Sequence, residues 1–178
     1  MNLQHTSKNY QEELENLRTS ILKMGGKVEA QLRQAVLAYS EGNVALAEQV
    51  MSVEREVNQD HLDIDHACSE IIALRQPAAS DLRMLLGCIR AISDLGDEAS
   101  KIAKMALKQD DKRAKLPRVH TIFQSADIAT GMLRRALDGF AREDTSEMAV
   151  VFAADLELDN QYQASMRQLI TFMMEDPR

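Results

Sequence analysis

SDLGDEASKIA, residues 93–103, places two penalties inside a single helical turn. Asp94, Asp97 and Glu98 stand at i, i+3 and i+4 and share a face, where each like-charged pair costs roughly 0.2–0.5 kcal/mol. Gly96, between them, costs about 1 kcal/mol relative to alanine in a helix interior. The stretch nevertheless lies within one amphipathic stripe. Leu82, Leu85, Ile89 and Ile92 precede it, and Ile102 and Ala106 follow, at helical spacing. It reads as the middle of a long helix that keeps a glycine and three acids for a reason outside its own backbone.

The same period extends outward over the whole chain, with no sustained alternation of period two. A first stripe runs from Leu14 through Ile21, Met24, Val28 and Leu32 to Tyr39, and the Glu-Gly-Asn of 41–43 breaks it. A second runs through Leu46, Val50, Val57, Ile64, Cys68 and Ile71. It stops at Arg75-Gln76-Pro77, because proline cannot continue the ladder and disfavours helix at the residue before it. Ser80 is placed to cap the third helix. The charged run 108–118 ends in a proline suited to a helix start, which opens a fourth stripe from Val119 to Phe140. After a turn at 142–147, a fifth stripe runs through Met148, Val151, Asp155, Leu158, Tyr162 and Met166 to Leu169 and Met173. Five helices with short connections predict an all-α protein made of antiparallel bundles.

Composition agrees. The chain has 178 residues, enough for one domain or two small ones, and 45% hydrophobic side chains can supply a core. Only 4% are aromatic, with no tryptophan, ten methionines and three prolines, a balance that suits helices better than sheets. A net charge of -7 argues against non-specific nucleic-acid binding. Cys68 and Cys88 sit in apolar stripes and read as buried free thiols. The polar start, MNLQHTSKNYQEELENL, and the lack of any apolar run near the roughly 18 residues of a membrane span predict a cytoplasmic protein. There is no Gly-rich phosphate loop, no Gly-x-Ser-x-Gly, no paired-cysteine motif and no His-Glu-x-x-His. The residues therefore predict no catalytic site.

A repeat is hidden in the stripes. Displacing the chain by 101 residues sets Ile21 on Ile122, Leu32 on Leu133, Tyr39 on Phe140 and the Gly42–Asn43 turn on Glu143–Asp144, without a gap. The unit is a three-helix bundle, complete over 1–110 and represented by two helices over 111–178. The offset also aligns acids: Glu54 and Asn58 fall on Asp155 and Asp159, one helical turn apart in each case. A carboxylate at the edge of a core must be paired, hydrogen-bonded or bound to a cation. Two carboxylates one turn apart can offer oxygens to the same hard cation. Asp94 and Asp97 form a third acidic turn, whose repulsion a metal would relieve. The alternative for all three is a solvated acidic face.

Residues 54–86, EREVNQDHLDIDHACSEIIALRQPAASDLRMLL, resemble the region of PhoU proteins that carries the helix-two asparagine and the Arg-Gln-Pro turn. LKMGGKVEAQL (22–32) and YQASMRQLITFMMEDPR (162–178) are similar to the same family. The resemblance implies two three-helix bundles related by an internal repeat, which agrees with the offset of 101. It implies a cytoplasmic regulator of phosphate uptake and phosphate-starvation signalling, not an enzyme. The implied partners are components of the phosphate-specific ABC transporter and a phosphate-sensing histidine kinase, with contact to the membrane only through them. It also implies a divalent or trivalent metal ion (iron, zinc, manganese or magnesium) at acidic motifs, here Glu54, Asn58, Asp94, Asp97, Asp155 and Asp159.

The chain departs from the family in two places. Leu95 is followed directly by Gly96, where the family has Leu-Glu-Arg-Ile-Gly-Asp, so Asp97 carries over and Asp94 stands in for the lost acid. Three residues turn a helix by about 300° and shorten it by about 4.5 Å, so the flanking stripes are expected to slip. The family's sixth helix has no counterpart within 178 residues. An open apolar side on a two-helix hairpin predicts a homodimer through Leu133, Leu137, Tyr162, Met166 and Leu169. Two other readings remain: a metal-dependent helical-bundle enzyme, which would need Glu-x-x-His pairs on facing helices, and a structural helical scaffold without metal.

Overall fold

The computed structural model describes residues 3–75, 79–108 and 119–175, except for the side chains of 3–8, 75, 79–85, 119–120, 172 and 175. The described residues form five α-helices and no strand: α1 (Leu3–Glu41), α2 (Val44–Arg75), α3 (Ala79–Leu107), α4 (Val119–Arg142) and α5 (Met148–Glu175). Pro77 and the side chain of Ser80, the expected cap, lie outside the described residues. The chain divides into two compact units, Met1–Gln109 and Asp110–Arg178.

In the first unit, α1, α2 and α3 each pack on the other two. Leu17, Ile21, Met24 and Val28 of α1, Val50, Val57 and Ile64 of α2, and Ile89 and Ile92 of α3 form an aliphatic core. The expected slip in α3 does not occur. Ile89, Ile92, Ser93 and Gly96 continue without a break into Ala99, Ser100, Ala103 and Ala106, all buried. The inner face of α3 is made of small residues on the C-terminal side of Ile92, so one helix keeps one face throughout. Both cysteines are free; Cys68 is buried and Cys88 half-buried, and burial pushes both thiols above their ordinary pKa.

In the second unit, α4 packs on α5 alone among the described residues. Ser125 Oγ donates to Gln161 Oε1 at 3.0 Å, and Arg135 pairs with Glu147. The fifth stripe is not the face that meets α4. Val151, Ala154, Leu158, Gln161 and Ala164 are half-buried, whereas Asp155, Tyr162, Met166, Leu169 and Met173 are exposed. Met148, Val151 and Leu158 are the half-buried members of the stripe, and the other five are exposed.

The two hairpin turns close in the same way. Asn43 N donates to Ala38 O at 2.9 Å over Gly42, whose φ is 63°. Asp144 N donates to Gly139 O at 2.9 Å over Glu143, whose φ is 53°. Both are six-to-one helix terminations, at positions 101 residues apart. Each is followed by an Asx side chain that receives a backbone N–H: Leu46 N donates to Asn43 Oδ1, and Ser146 N to Asp144 Oδ1. The second turn puts glutamate where left-handed backbone favours glycine, at about 1 kcal/mol. A Cβ on Gly139 would lie 2.7 Å from Asp144 O, so that glycine is required by the closure. Glu143→Gly should raise stability by about 0.5–1 kcal/mol, read as a higher urea midpoint at unchanged m-value. Gly139→Ala should lower it; a neutral result there would contradict the turn geometry.

Candidate functional site

The polar centre of the first unit is assembled from all three of its helices. Gln31, in α1, follows Met24 and Val28 at the core-facing spacing and is fully buried. Glu54, in α2, is 8% exposed. Ser100, in α3, is buried one turn beyond Gly96. Gln31 Nε2 donates to Glu54 Oε2 at 2.8 Å, and Ser100 Oγ donates to the same oxygen at 2.9 Å. Asn58 Nδ2 donates to Glu54 Oε1 at 3.2 Å. Gln31 Nε2 also lies 3.2 Å from Ser100 Oγ and 3.4 Å from Val50 O, while its Oε1 is buried without a partner among the described residues.

Gly96 explains the opening stretch. A Cβ there would stand 3.3 Å from Val57 Cγ1 and 3.4 Å from both Gln31 Oε1 and Glu54 Oε2. The glycine lets α3 come close enough for Ser100 to reach the carboxylate. Asp97, the next residue, is hydrogen-bonded to Glu54. Burial pushes Glu54 up, but hydrogen bonds from Gln31, Ser100, Asp97 and Asn58 outweigh it and hold its carboxyl below the usual carboxylate range. The hydrogen bond to Glu54, then burial and the Glu54 charge, hold Asp97 above it. Glu98, on the outer side, pairs with Lys101.

The structure thus brings Glu54, Asn58 and Asp97 together, and Asp94 reaches the group only through its charge acting on Asp97. Asp155 and Asp159 are exposed on α5, apart from this cluster in sequence and unit. Among the described residues, no three His, Cys, Asp or Glu side chains come close enough to hold a metal. Sequence reasoning missed Gln31 and Ser100, the two donors that keep Glu54 charged inside the core. The signal was present: both are polar residues in phase with an apolar stripe. His61 and His66, spaced i, i+5, read from the sequence as surface histidines; His66 is exposed, but His61 is half-buried, its Nδ1 3.0 Å from Ser93 Oγ across α2 and α3. Beside this centre, α1 and α2 flank a groove of about 400 Å³, floored by Leu17, Ile64 and Ile71. Lys27 lines it and bonds Asp60 at 2.7 Å and Glu56 at 3.5 Å.

Two outcomes follow from this geometry. Glu54→Ala strands two buried donors, Gln31 Nε2 and Ser100 Oγ, and should cost about 2–4 kcal/mol; Glu54→Gln keeps an acceptor and should cost under about 1 kcal/mol. Equal urea midpoints for the two variants would contradict the network. For Asp97 the sign is opposite to that of Glu54. Its raised folded pKa means its charge opposes folding at neutral pH, and that opposition is relieved as pH falls through the raised value. Glu54's contribution is present at neutral pH and is lost only as pH falls through its depressed value. Asp97→Asn should therefore add a few tenths of a kcal/mol at neutral pH, about the size left after solvent screening of an exposed side chain. The gain should fade as pH falls through the raised value, where the parent's Asp97 takes up a proton of its own. Chemical denaturation at neutral and at acidic pH checks it, and a gain independent of pH would count against the Asp97–Glu54 interaction.

Known proteins share this fold and sequence. The PhoU domain model matches residues 21–106. A Pseudomonas putida protein named phosphate-specific transport system accessory protein PhoU homolog is 41% identical over 178 residues, spanning 98% of this chain and 69% of its own length. The Escherichia coli phosphate-specific transport system accessory protein PhoU is 38% identical over 98% of this chain and 73% of its own length. The crystal structure of PhoU from Pseudomonas aeruginosa superposes with a TM-score of 0.87 at 37% identity, over 95% of this chain and 82% of that one. The phosphate transport system regulatory protein PhoU from Streptococcus pneumoniae gives 0.81 at 26% identity, over 94% and 80%.

Proposed function

Because the chain belongs to the PhoU family, we propose that it is a cytoplasmic regulator of phosphate uptake and phosphate-starvation signalling. It acts by contact with components of the phosphate-specific ABC transporter and with a phosphate-sensing histidine kinase, not by catalysis. It meets the membrane only through those partners, and it does not bind nucleic acid. The observation that carries this reading is 41% identity over 98% of the chain to a protein named for phosphate-specific transport. The first unit supports it. Glu54, the buried carboxylate among its described residues, takes hydrogen bonds from Gln31, Ser100 and Asn58, an arrangement that ties the three helices together. No described helix is long and apolar enough to cross a membrane.

A divalent or trivalent ion is part of the family resemblance, and the residues present do not make a ready cage for one. Glu54 already accepts from three donors, and Asp155 and Asp159 supply two exposed carboxylates and no third ligand among the described residues. We place iron, zinc, manganese or magnesium at these acids only as loosely held, water-ligated ions on which the fold does not depend. The apolar side of α4 and α5 is covered by a second copy of the chain. Capture assays on membranes test the regulatory reading. Immobilised chain should retain the transporter and kinase from membranes that contain them, and none from membranes lacking the transporter genes. Failure to retain either partner at low salt would overturn the proposal. Metal analysis before and after chelator should show loss of any ion with no fall in melting temperature.

A further inference from the structure

The groove between α1 and α2 has walls of heptad period. α1 lines it at 13, 16, 20, 23 and 27, and α2 at 60, 63, 67, 70 and 74, each at steps of three and four. The contacts of Gln31 with Glu54 and of Lys27 with Asp60 set the two helices antiparallel. One heptad from the Lys27–Asp60 pair, Ser20 stands level with Ala67; one heptad further, Glu13 stands level with Leu74. Small side chains therefore face each other at mid-length, above a buried floor of Leu17, Ile64 and Ile71. At the far end stands Leu74, 74% exposed. Each wall is about 21 Å long, or four helical turns. The groove lies between two helices of a unit in which all three helices pack on one another, apart from the α4–α5 hairpin.

We propose that this groove docks an amphipathic α-helix of a protein partner, with an apolar stripe at heptad spacing and lysine or arginine on the flank over α2. The inference rests on the regulatory reading for the existence of a partner, and it names the surface that partner occupies. The docked helix is about 14 residues long, the length of the walls. Its stripe lies on Leu17, Ile64 and Ile71, between Ser20 and Ala67, with Leu74 packed on its end. Walls that repeat every seven residues match a helix whose apolar stripe has the same period, the means by which an amphipathic helix seats in a groove.

Charge selects the occupant. The lining carries four carboxylates, on Glu13, Asp60, Asp63 and Glu70, against two ammonium groups, on Lys23 and Lys27. Lys27 is engaged by Asp60 at 2.7 Å and by Glu56 at 3.5 Å. α2 has no lysine or arginine from 56 to 74, so its wall presents Asp63 and Glu70, both exposed, with no base on the same helix beside them. A cationic helix is attracted to this wall and an anionic one repelled. The same excess disfavours an anionic lipid surface and nucleic acid. A second copy of a chain of net charge -7 is disfavoured for the same reason.

Fluorescence anisotropy titration of the full chain tests the docking. The probe is a labelled peptide of about 15 residues, with leucine at the heptad-spaced stripe and lysine on its flanks. Its controls are a scramble of the same composition and a version with glutamate for lysine. At about 0.15 M salt the parent should bind the probe about tenfold or more tighter than either control. Asp63→Lys should weaken the probe about tenfold, whereas Asp65→Lys, two residues along the same helix and outside the groove, should stay within about threefold of the parent. Leu74→Ala should weaken it about fivefold or more. All three positions are exposed, and circular dichroism checks that each variant stays helical. Equal binding of probe and scramble, or equal effects of Asp63→Lys and Asp65→Lys, overturns the docking groove. A groove variant that changes the oligomeric state in sedimentation equilibrium and leaves probe binding intact assigns the groove to a second copy and also overturns it. In the membrane-capture assay, Asp63→Lys/Leu74→Ala should retain about a tenth or less of what the parent retains. Equal retention overturns the groove as the partner's surface and leaves the regulatory reading in place. Failure of the parent to retain either partner overturns the regulatory reading, and the peptide titration still decides the groove.

Discussion

A carboxylate can stay charged in a helical core only where donors meet its oxygens, and in the first unit one oxygen of Glu54 meets a donor from each neighbouring helix. Gln31 of α1 and Ser100 of α3 both donate to Oε2, so a single atom ties the three helices at one level. Apart from the His61–Ser93 bond between α2 and α3, the rest of the described core is mainly aliphatic and holds no other polar tie of this kind. The Glu54 hub does not tolerate a slide of one helix past another by a turn, because a slide of about 5.4 Å would separate the donors from the acceptor. Gly96 and Ser100 are the small residues that admit α3 to that contact. The glycine's propensity penalty and the acid pair of Glu54 and Asp97 are thus two consequences of one crossing. The helix tolerates both because the bonds they permit are buried and charge-assisted.

The helical period made the class and the helices legible. Five stripes gave five helices, and Gly42 and the 142–147 turn fell where the helices end. What the sequence did not yield was which polar residues point inward. Gln31 stands at a core-facing spacing but carries a side chain that usually faces solvent, and only its partners, 23 and 69 positions away, reveal its burial. The same distance effect hid the fate of Asp94. Spacing along one helix put it with Asp97 and Glu98, but the Glu54 centre takes only the acid next to Gly96. The expected slip of the α3 stripe failed for a simple reason. Ser93, Gly96, Ser100 and Ala103 are all small, so the helix keeps one continuous inner face through the shortened stretch.

The fifth stripe misled in an instructive way. Asp155 was in phase with Val151 and Leu158, yet α5 turns it to solvent and packs Ala154 and Gln161 toward α4 instead. Periodicity finds an apolar arc, but not which part of a wide arc the available neighbour covers. α5 has apolar residues over most of its circumference, and α4 covers one part of them. The outward arc, from Phe152 to Met173, lies on the other side of α5 and is exposed.

The two units place an acid at corresponding points of the 101-residue offset, Glu54 in α2 and Asp155 in α5, and treat it oppositely. Glu54 is buried because Gln31 and Ser100 reach it from two sides. At the offset of Gln31 the second unit has Met132, which has no N–H to give, and the described residues include no third helix to supply a hydroxyl like that of Ser100. Without donors a carboxylate is more stable in water than beside a methionine, so α5 rotates Asp155 outward. Its acidic residues then become surface charges. The same sequence pattern therefore builds an internal tie where donors are present and an outward-facing, charge-marked helix where they are not.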